Sequence, residues 1–288
     1  MTFVEAVLLG VVQGVFMFFP VSSTGHLVLT QHLLSGVGSP LPPPESPEMI
    51  LFDLVVHVGT VVSIIVVFWP SLKRLTLGIL ADLRGAIGGA ALSGRDGLHL
   101  KLAYLGLIAV VVTGVLGFVI RAVGTGAFAH TVAVAIALTI TGAILWWTDT
   151  AEDLWRGVAG ITVWVAVGIG AAQGLALLPG LSRSGLTIAF ALLVGLQRHR
   201  AAQFSFYIAI PTILAAASVQ AVDVIRAPGP VGIELSAYAT GFVVAALVGI
   251  VALKLVLAAL YRARFRYFAY YTWALAAVVM FVDVPGFG

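Results

Sequence analysis

A chain of 288 residues that is 61% hydrophobic and only 9% charged cannot hide its apolar side chains inside one soluble core. Fifteen Lys and Arg against twelve Asp and Glu leave a net charge of +3, and the lack of cysteine excludes disulfides and thiolate metal sites. Most of the basic residues lie in loops between apolar runs, where membrane orientation accounts for them and no nucleic-acid partner is implied.

The first apolar region, 2–35, is broken near its middle by "FPVSSTGH", Phe19 to His26. It lacks the basic start and small-residue cleavage site of a secretory signal, so it is expected to remain as structure. Runs of the roughly 20 apolar residues that cross a hydrocarbon layer follow at 50–69, 101–120 and 128–147. A second broken region, 158–197, carries "LLPGLSRSGLTIAF", and further runs occupy 203–222, 234–260 and 267–284. Trp69, Trp146, Trp147, Trp155, Tyr261, Tyr267, Tyr270 and Tyr271 fall near span ends and read as interfacial anchors. The sequence predicts an all-α polytopic membrane protein with six transmembrane helices plus two re-entrant helical hairpins.

Lys and Arg set the orientation. With 70–101, 148–157, 197–202 and 261–266 facing the cytoplasm, that side holds Lys73, Arg74, Arg84, Arg95, Lys101, Arg156, Arg198, Arg200, Arg262, Arg264 and Arg266. The opposite loops and the C-terminal tail hold only Arg121 and Arg226. This balance requires both broken segments to enter and leave on one side, and it places both termini outside a multi-pass plasma-membrane protein.

The chain also matches itself. At an offset of 160, Gly10 meets Gly170, Gln13 meets Gln173, Gly14 meets Gly174, Ser22 meets Ser182, Thr24 meets Ser184 and Gly25 meets Gly185. At 152, Phe52 meets Phe204 and Thr60 meets Thr212. The order suggests a first repeat over 1–147 and a second, inverted one over 148–288. Secondary transporters built this way place their site where broken helices meet near the midplane.

Non-helical backbone at membrane depth must be buried in protein or line a cavity, so the two breaks are expected to line the site. The first offers Ser22, Ser23, Thr24 and His26; the second offers Ser182, Arg183, Ser184 and Thr187. Helices starting after each break would aim amides and positive dipole ends at an anion. Arg183 adds a planar fork suited to phosphate oxygens, and the hydroxyls add neutral donors. Alternatively, the serines cap the two inner helices. His26 follows Ser23 by three residues, a spacing that suits a base beside a nucleophile, or else it bonds a carbonyl. Asp53 and His57 form a second pair at i and i+4, either functional or mutually neutralising. Gln13 and Gln173 line the cavity or join helices.

At these residues the sequence resembles the undecaprenyl-diphosphate phosphatase family, also called the bacitracin-resistance family. "FPVSSTGH", "FDLVVHVGT" (Phe52 to Thr60) and "PGLSRSG" (Pro179 to Gly185) match its characteristic stretches in order and spacing. The resemblance implies removal of the terminal phosphate from a C55 polyprenyl diphosphate, the lipid carrier of cell-wall assembly, with a divalent cation such as Mg²⁺ or Ca²⁺. It also implies Ser23 as nucleophile or phosphate ligand, His26 as its acid/base partner and Arg183 as diphosphate clamp, with Thr24, Ser182 and Ser184 as hydroxyl donors; Ser22 and Thr187 join the phosphate-binding candidates by their place in the two breaks. A homodimer is compatible with such a chain. Family members usually carry two glutamates four residues apart just before this stretch, whereas this chain has Gln13 and Met17. Glutamine keeps an oxygen donor without charge and methionine offers a hard cation nothing useful, so Asp53 and His57 are auxiliary candidates, the metal is unassigned, and a non-hydrolytic carrier of a polyprenyl phosphate or another anionic lipid is the alternative.

Overall fold

The structure, a computed structural model, describes residues 1–36, 38–43, 46–88, 97–123, 131–150, 157, 160–226 and 234–281. Arg95, Trp155 and Arg156, invoked above for orientation and anchoring, lie outside the described residues, as do the loop stretches 124–127 and 227–233. Ten helices are described: α1 (Phe3–Phe16), α2 (Ser23–Gly36), α3 (Pro47–Ile87), α4 (Leu98–Val123), α5 (Thr131–Thr150), α6 (Val163–Leu175), α7 (Arg183–Leu193), α8 (Arg198–Arg226), α9 (Leu235–Tyr261) and α10 (Arg266–Phe281).

Five of them, α3, α4, α5, α8 and α9, are long and apolar enough to cross a membrane. The predicted span 267–284 corresponds to α10, described over 16 residues and packed along α5. Each broken region becomes two short helices folded on one another, α1 on α2 and α6 on α7. Thr2 and Glu5 form a reciprocal capping box at the start of α1, and the Thr162 hydroxyl caps α6.

The largest departure from expectation is α3. The predicted span stops at Pro70, yet the helix runs 41 residues through that proline to Ile87. Proline removes one backbone donor, which membrane helices tolerate when their neighbours re-satisfy the freed groups. Much of the predicted cytoplasmic loop 70–101 is therefore helical. Asp82, on this extension, accepts from the Leu100 amide at 3.0 Å and so caps α4 from outside. Asp149 does the same for α10, accepting from the amides of Phe265 and Arg266 at 2.9 and 2.8 Å.

Association within lipid lacks a hydrophobic drive, so close backbone approach carries the packing. Gly10 and Gly14 of α1 lie against α9, where an added Cβ would sit 3.0 Å from Gly241 O and 2.9 Å from Ala245 O. Gly170 and Gly174 of α6 lie against α4, where the added carbons would meet Ala109 O at 2.5 Å and Leu116 Cβ at 2.7 Å. The same pair of glycines thus seats the first arm of each broken segment on a long helix of the other half. The main core fills the space between with Phe18, Ile64, Phe206, Leu253 and Phe265.

Candidate active site

Both breaks are folded into tight tips that face one another. The first, residues 17–22, leaves α1 at Met17 and reaches α2 through Ser22, whose φ of 69° lies in the left-handed region. That conformation costs a non-glycine residue about 1–3 kcal/mol. A neutral hydrogen bond contributes about 0.5–1.5 kcal/mol, so the one that His26 Nδ1 donates to Ser22 O at 2.7 Å offsets only part of the strain. The buried Phe18 and Val21 fix the rest of the tip.

The second tip turns at Gly180, with φ 90°, directly against Val134 O of α5. Thr141 of the same helix donates to Gly180 O at 3.0 Å and accepts from the Ser182 amide at 3.3 Å. Ser182 Oγ then caps α7 through the Gly185 amide at 3.2 Å. The amides of Arg183 and Ser184, in the first turn, have no partner within the helix.

The tips touch through donors of Arg183 and Ser184, and Ser23 meets the Met17 sulfur from the first tip's own side. Arg183 Nη2 comes 3.9 Å from Met17 Sδ, and Ser23 Oγ comes 3.9 Å from the same sulfur. Ser184 Oγ donates to Phe18 O at 3.4 Å. A thioether is a weak acceptor, so these donors converge on a point where a stronger acceptor would bind them better. Gln13 stands one turn before Met17 on the same side of α1, fully buried, and neither amide atom has a hydrogen-bond partner.

His26 is not bonded to Ser23. Its ring lies flat on Phe16, with centroids 3.8 Å apart, and Nε2 meets the Tyr271 hydroxyl at 2.6 Å. With Nδ1 donating to Ser22 O, the neutral ring accepts at Nε2. The reading of Tyr271 as an interfacial anchor misses this contact, because 245 residues separate the partners and no local pattern announces them.

Asp53 and His57 share a helix face without pairing their charged groups. Gln31 Nε2 donates to Asp53 Oδ1 at 3.0 Å, whereas His57 Nδ1 donates to the backbone O of Asp53 at 2.6 Å. His57 lies within Coulombic range of Arg183, and its Nε2 makes no hydrogen bond among the described residues. Gln31 carried no sequence signal.

Other candidates lie apart from the convergence. Thr24 is exposed. Thr187 donates to Arg183 O at 2.8 Å and also meets Ser205, so its hydroxyl is engaged along α7 and α8. Gln173 Nε2 joins Thr113 and Thr212 at 3.1 and 2.9 Å, a bridge between helices. Its repeat mate Gln13 has no such partners.

The donor set also decides how a divalent cation fits. Mg²⁺ and Ca²⁺ take six or more oxygen ligands and rely on carboxylates. Beside Ser23 and Arg183 stand a thioether and an orphan amide, and among the described residues no three His, Asp or Glu side chains cluster. The residues present do not suit either ion.

Comparison with known proteins agrees with the motifs. The family described as bacitracin resistance protein BacA matches residues 6–278. An undecaprenyl-diphosphatase of Alkalilimnicola ehrlichii is 56% identical over 94% of this chain and 93% of its own. One from Halorhodospira halophila is 51% identical over 97% of this chain and 98% of its own, and one from Desulfosudis oleivorans is 38% identical over 98% of both. With the match running almost from end to end, the chain belongs to the BacA bacitracin resistance protein family.

Proposed function

We propose that this chain is an integral membrane phosphatase that removes the terminal phosphate of a polyprenyl diphosphate and so recycles the lipid carrier of cell-wall assembly. The convergence of Arg183 and Ser23 on one point carries this reading. There the guanidinium and the first-turn amides of α7 hold the terminal phosphate oxygens, and Ser23 Oγ attacks the phosphorus. The bridging P–O bond breaks, and its electron pair leaves with the prenyl monophosphate. Water then cleaves the phosphoserine to free phosphate and restore the hydroxyl.

His26 receives the proton at Nε2, which exchanges the Tyr271 hydroxyl for the attacking group, and Ser22 O and Phe16 keep the ring in place. Ser182 and Ser184 orient the second tip. His57, close to Arg183, is a second ring through which protons can pass. The two broken segments are re-entrant hairpins of an inverted repeat, and both termini lie on the outer face of the plasma membrane. The matched glycine packing of α1 and α6 and the loop charges support that arrangement.

Phosphate release from farnesyl diphosphate by the purified protein tests the reading. Release that an Arg183→Ala change leaves intact refutes it.

A second reading rests on Met17 and Gln13, which place no carboxylate beside the phosphate. In it the protein carries a polyprenyl phosphate across the bilayer without cutting it. Protein-dependent lipid flux in proteoliposomes, with no phosphate released, would favour this over hydrolysis.

A further inference from the structure

A cavity of about 470 Å³ opens among α3, α4 and α8 and shares no lining residue with the Ser23 and Arg183 cluster. Its mouth is polar and basic, formed by Ser71, Arg74, His99, Arg200 and Gln203. Its depth is apolar, with Leu107, Val110, Ile208 and Pro211 in the walls. Arg200 and Pro211 are eleven residues apart on α8, or about 16 Å of helical rise, so the cavity runs well into the span. Leu107 is 61% exposed on the outside of α4, which leaves the groove open towards lipid.

Among the described residues the mouth holds two guanidiniums and neutral acceptors. Arg74 Nη2 donates to Ser71 Oγ at 3.2 Å, Arg200 Nη1 donates to Gln203 Oε1 at 3.0 Å, and Gln203 Nε2 donates to Ser71 Oγ at 3.3 Å. One short polar chain thus links both guanidiniums. Among the described residues no Asp or Glu lines the cavity. Asp82 approaches His99 at 3.6 Å, but its carboxylate is committed to capping α4. Tyr207, inside the same cavity, places its hydroxyl beside Ser71 and within Coulombic range of both arginines. Orientation in the membrane accounts for basic residues at this end. It does not account for two guanidiniums with no carboxylate beside them among the described residues, joined by a polar chain at the head of an apolar groove.

The geometry points to a second lipid-phosphate site, which takes a prenyl monophosphate with its headgroup between Arg74 and Arg200 and its chain in the groove between α4 and α8. Charge selects the monoester. A phosphate monoester carries about −1.5 to −2 near neutrality, which matches two guanidiniums, whereas the diester of an ordinary phospholipid carries a single charge. The volume falls within the 300–1,000 Å³ usual for small-molecule sites, enough for a headgroup and the first part of one chain. Binding follows from the cavity alone; that the bound lipid is the product of hydrolysis rests on the function proposed above.

The test uses the full chain in detergent micelles with farnesyl phosphate as probe, in an Arg183→Ala background so that the hydrolytic site neither turns over nor dominates binding. Native mass spectrometry is expected to detect the bound prenyl phosphate. Adding Arg74→Gln and Arg200→Gln should weaken it at least tenfold. Ala103→Phe, which fills the groove and leaves the charges in place, should weaken it as well. Farnesol, inorganic phosphate and phosphatidylglycerol should compete poorly. Undiminished binding in both the arginine and the Ala103→Phe variants, or competition by phosphatidylglycerol at equal concentration, overturns the proposal. Failure of the hydrolytic reading would appear separately, as absence of phosphate release by the unaltered protein.

Discussion

The hydroxyl of Ser23 and the guanidinium of Arg183 meet on a single atom, each 3.9 Å from Met17 Sδ, although 160 residues separate them in the chain. Two of the strongest donors at the tips are thus spent on one of the weakest acceptors among side chains.

Changing Met17 and Gln13 together to glutamate replaces a thioether and an orphan amide with carboxylates one helical turn apart. The double variant is expected to hydrolyse farnesyl diphosphate at least tenfold faster with Mg²⁺ or Ca²⁺ than without. The unaltered protein should be indifferent to EDTA. Phosphate release with and without chelator measures both, and EDTA sensitivity of the unaltered protein would contradict the fit of its residues described above.

Arg183→Ala should lower kcat for diphosphate hydrolysis by about 10²–10³, the usual loss when one preorganised donor to a developing charge is removed. Arg183→Lys should recover only a small part, since an ammonium lacks the planar fork. Steady-state kinetics on both variants checks the order.

His26→Gln should reduce kcat far more than Tyr271→Phe. The phenol contributes one hydrogen bond to the ring, about 0.5–1.5 kcal/mol, which corresponds to roughly a two- to twelvefold change. Equal losses in the two variants would mean that Tyr271 takes part in the chemistry itself.

Gly14→Val and Gly174→Val should destabilise the protein to similar extents, by about 1–3 kcal/mol each, because both push side chains into a neighbouring helix. Thermal unfolding in detergent measures the two shifts. A large effect at one position alone would argue against equivalent roles for α1 and α6.

Much of this was legible in the sequence because the membrane imposes a strong pattern. Apolar runs of spanning length located α3, α4, α5, α8 and α9, and the Pro, Gly and Ser breaks located both tips. The convergence of Arg183 with Ser23 followed from reading those breaks as one site. What stayed hidden was decided by long-range packing. Tyr271 reaches His26 from the last helix, and Gln31 diverts Asp53 from His57. The passage of α3 through Pro70 was hidden for a different reason. A proline reads locally as a stop, and only its surroundings decide whether the helix resumes.

That uninterrupted α3 has a mechanical consequence. At 41 residues it is a rod about 60 Å long, bearing His57 and Arg74 about 26 Å apart along its middle part. A tilt at one of these positions is carried along the rod to the other unless Gly59 or Pro70, which lie between them, absorbs it. One rigid helix therefore contributes to the surroundings of Arg183 and to the mouth of the cavity among α3, α4 and α8.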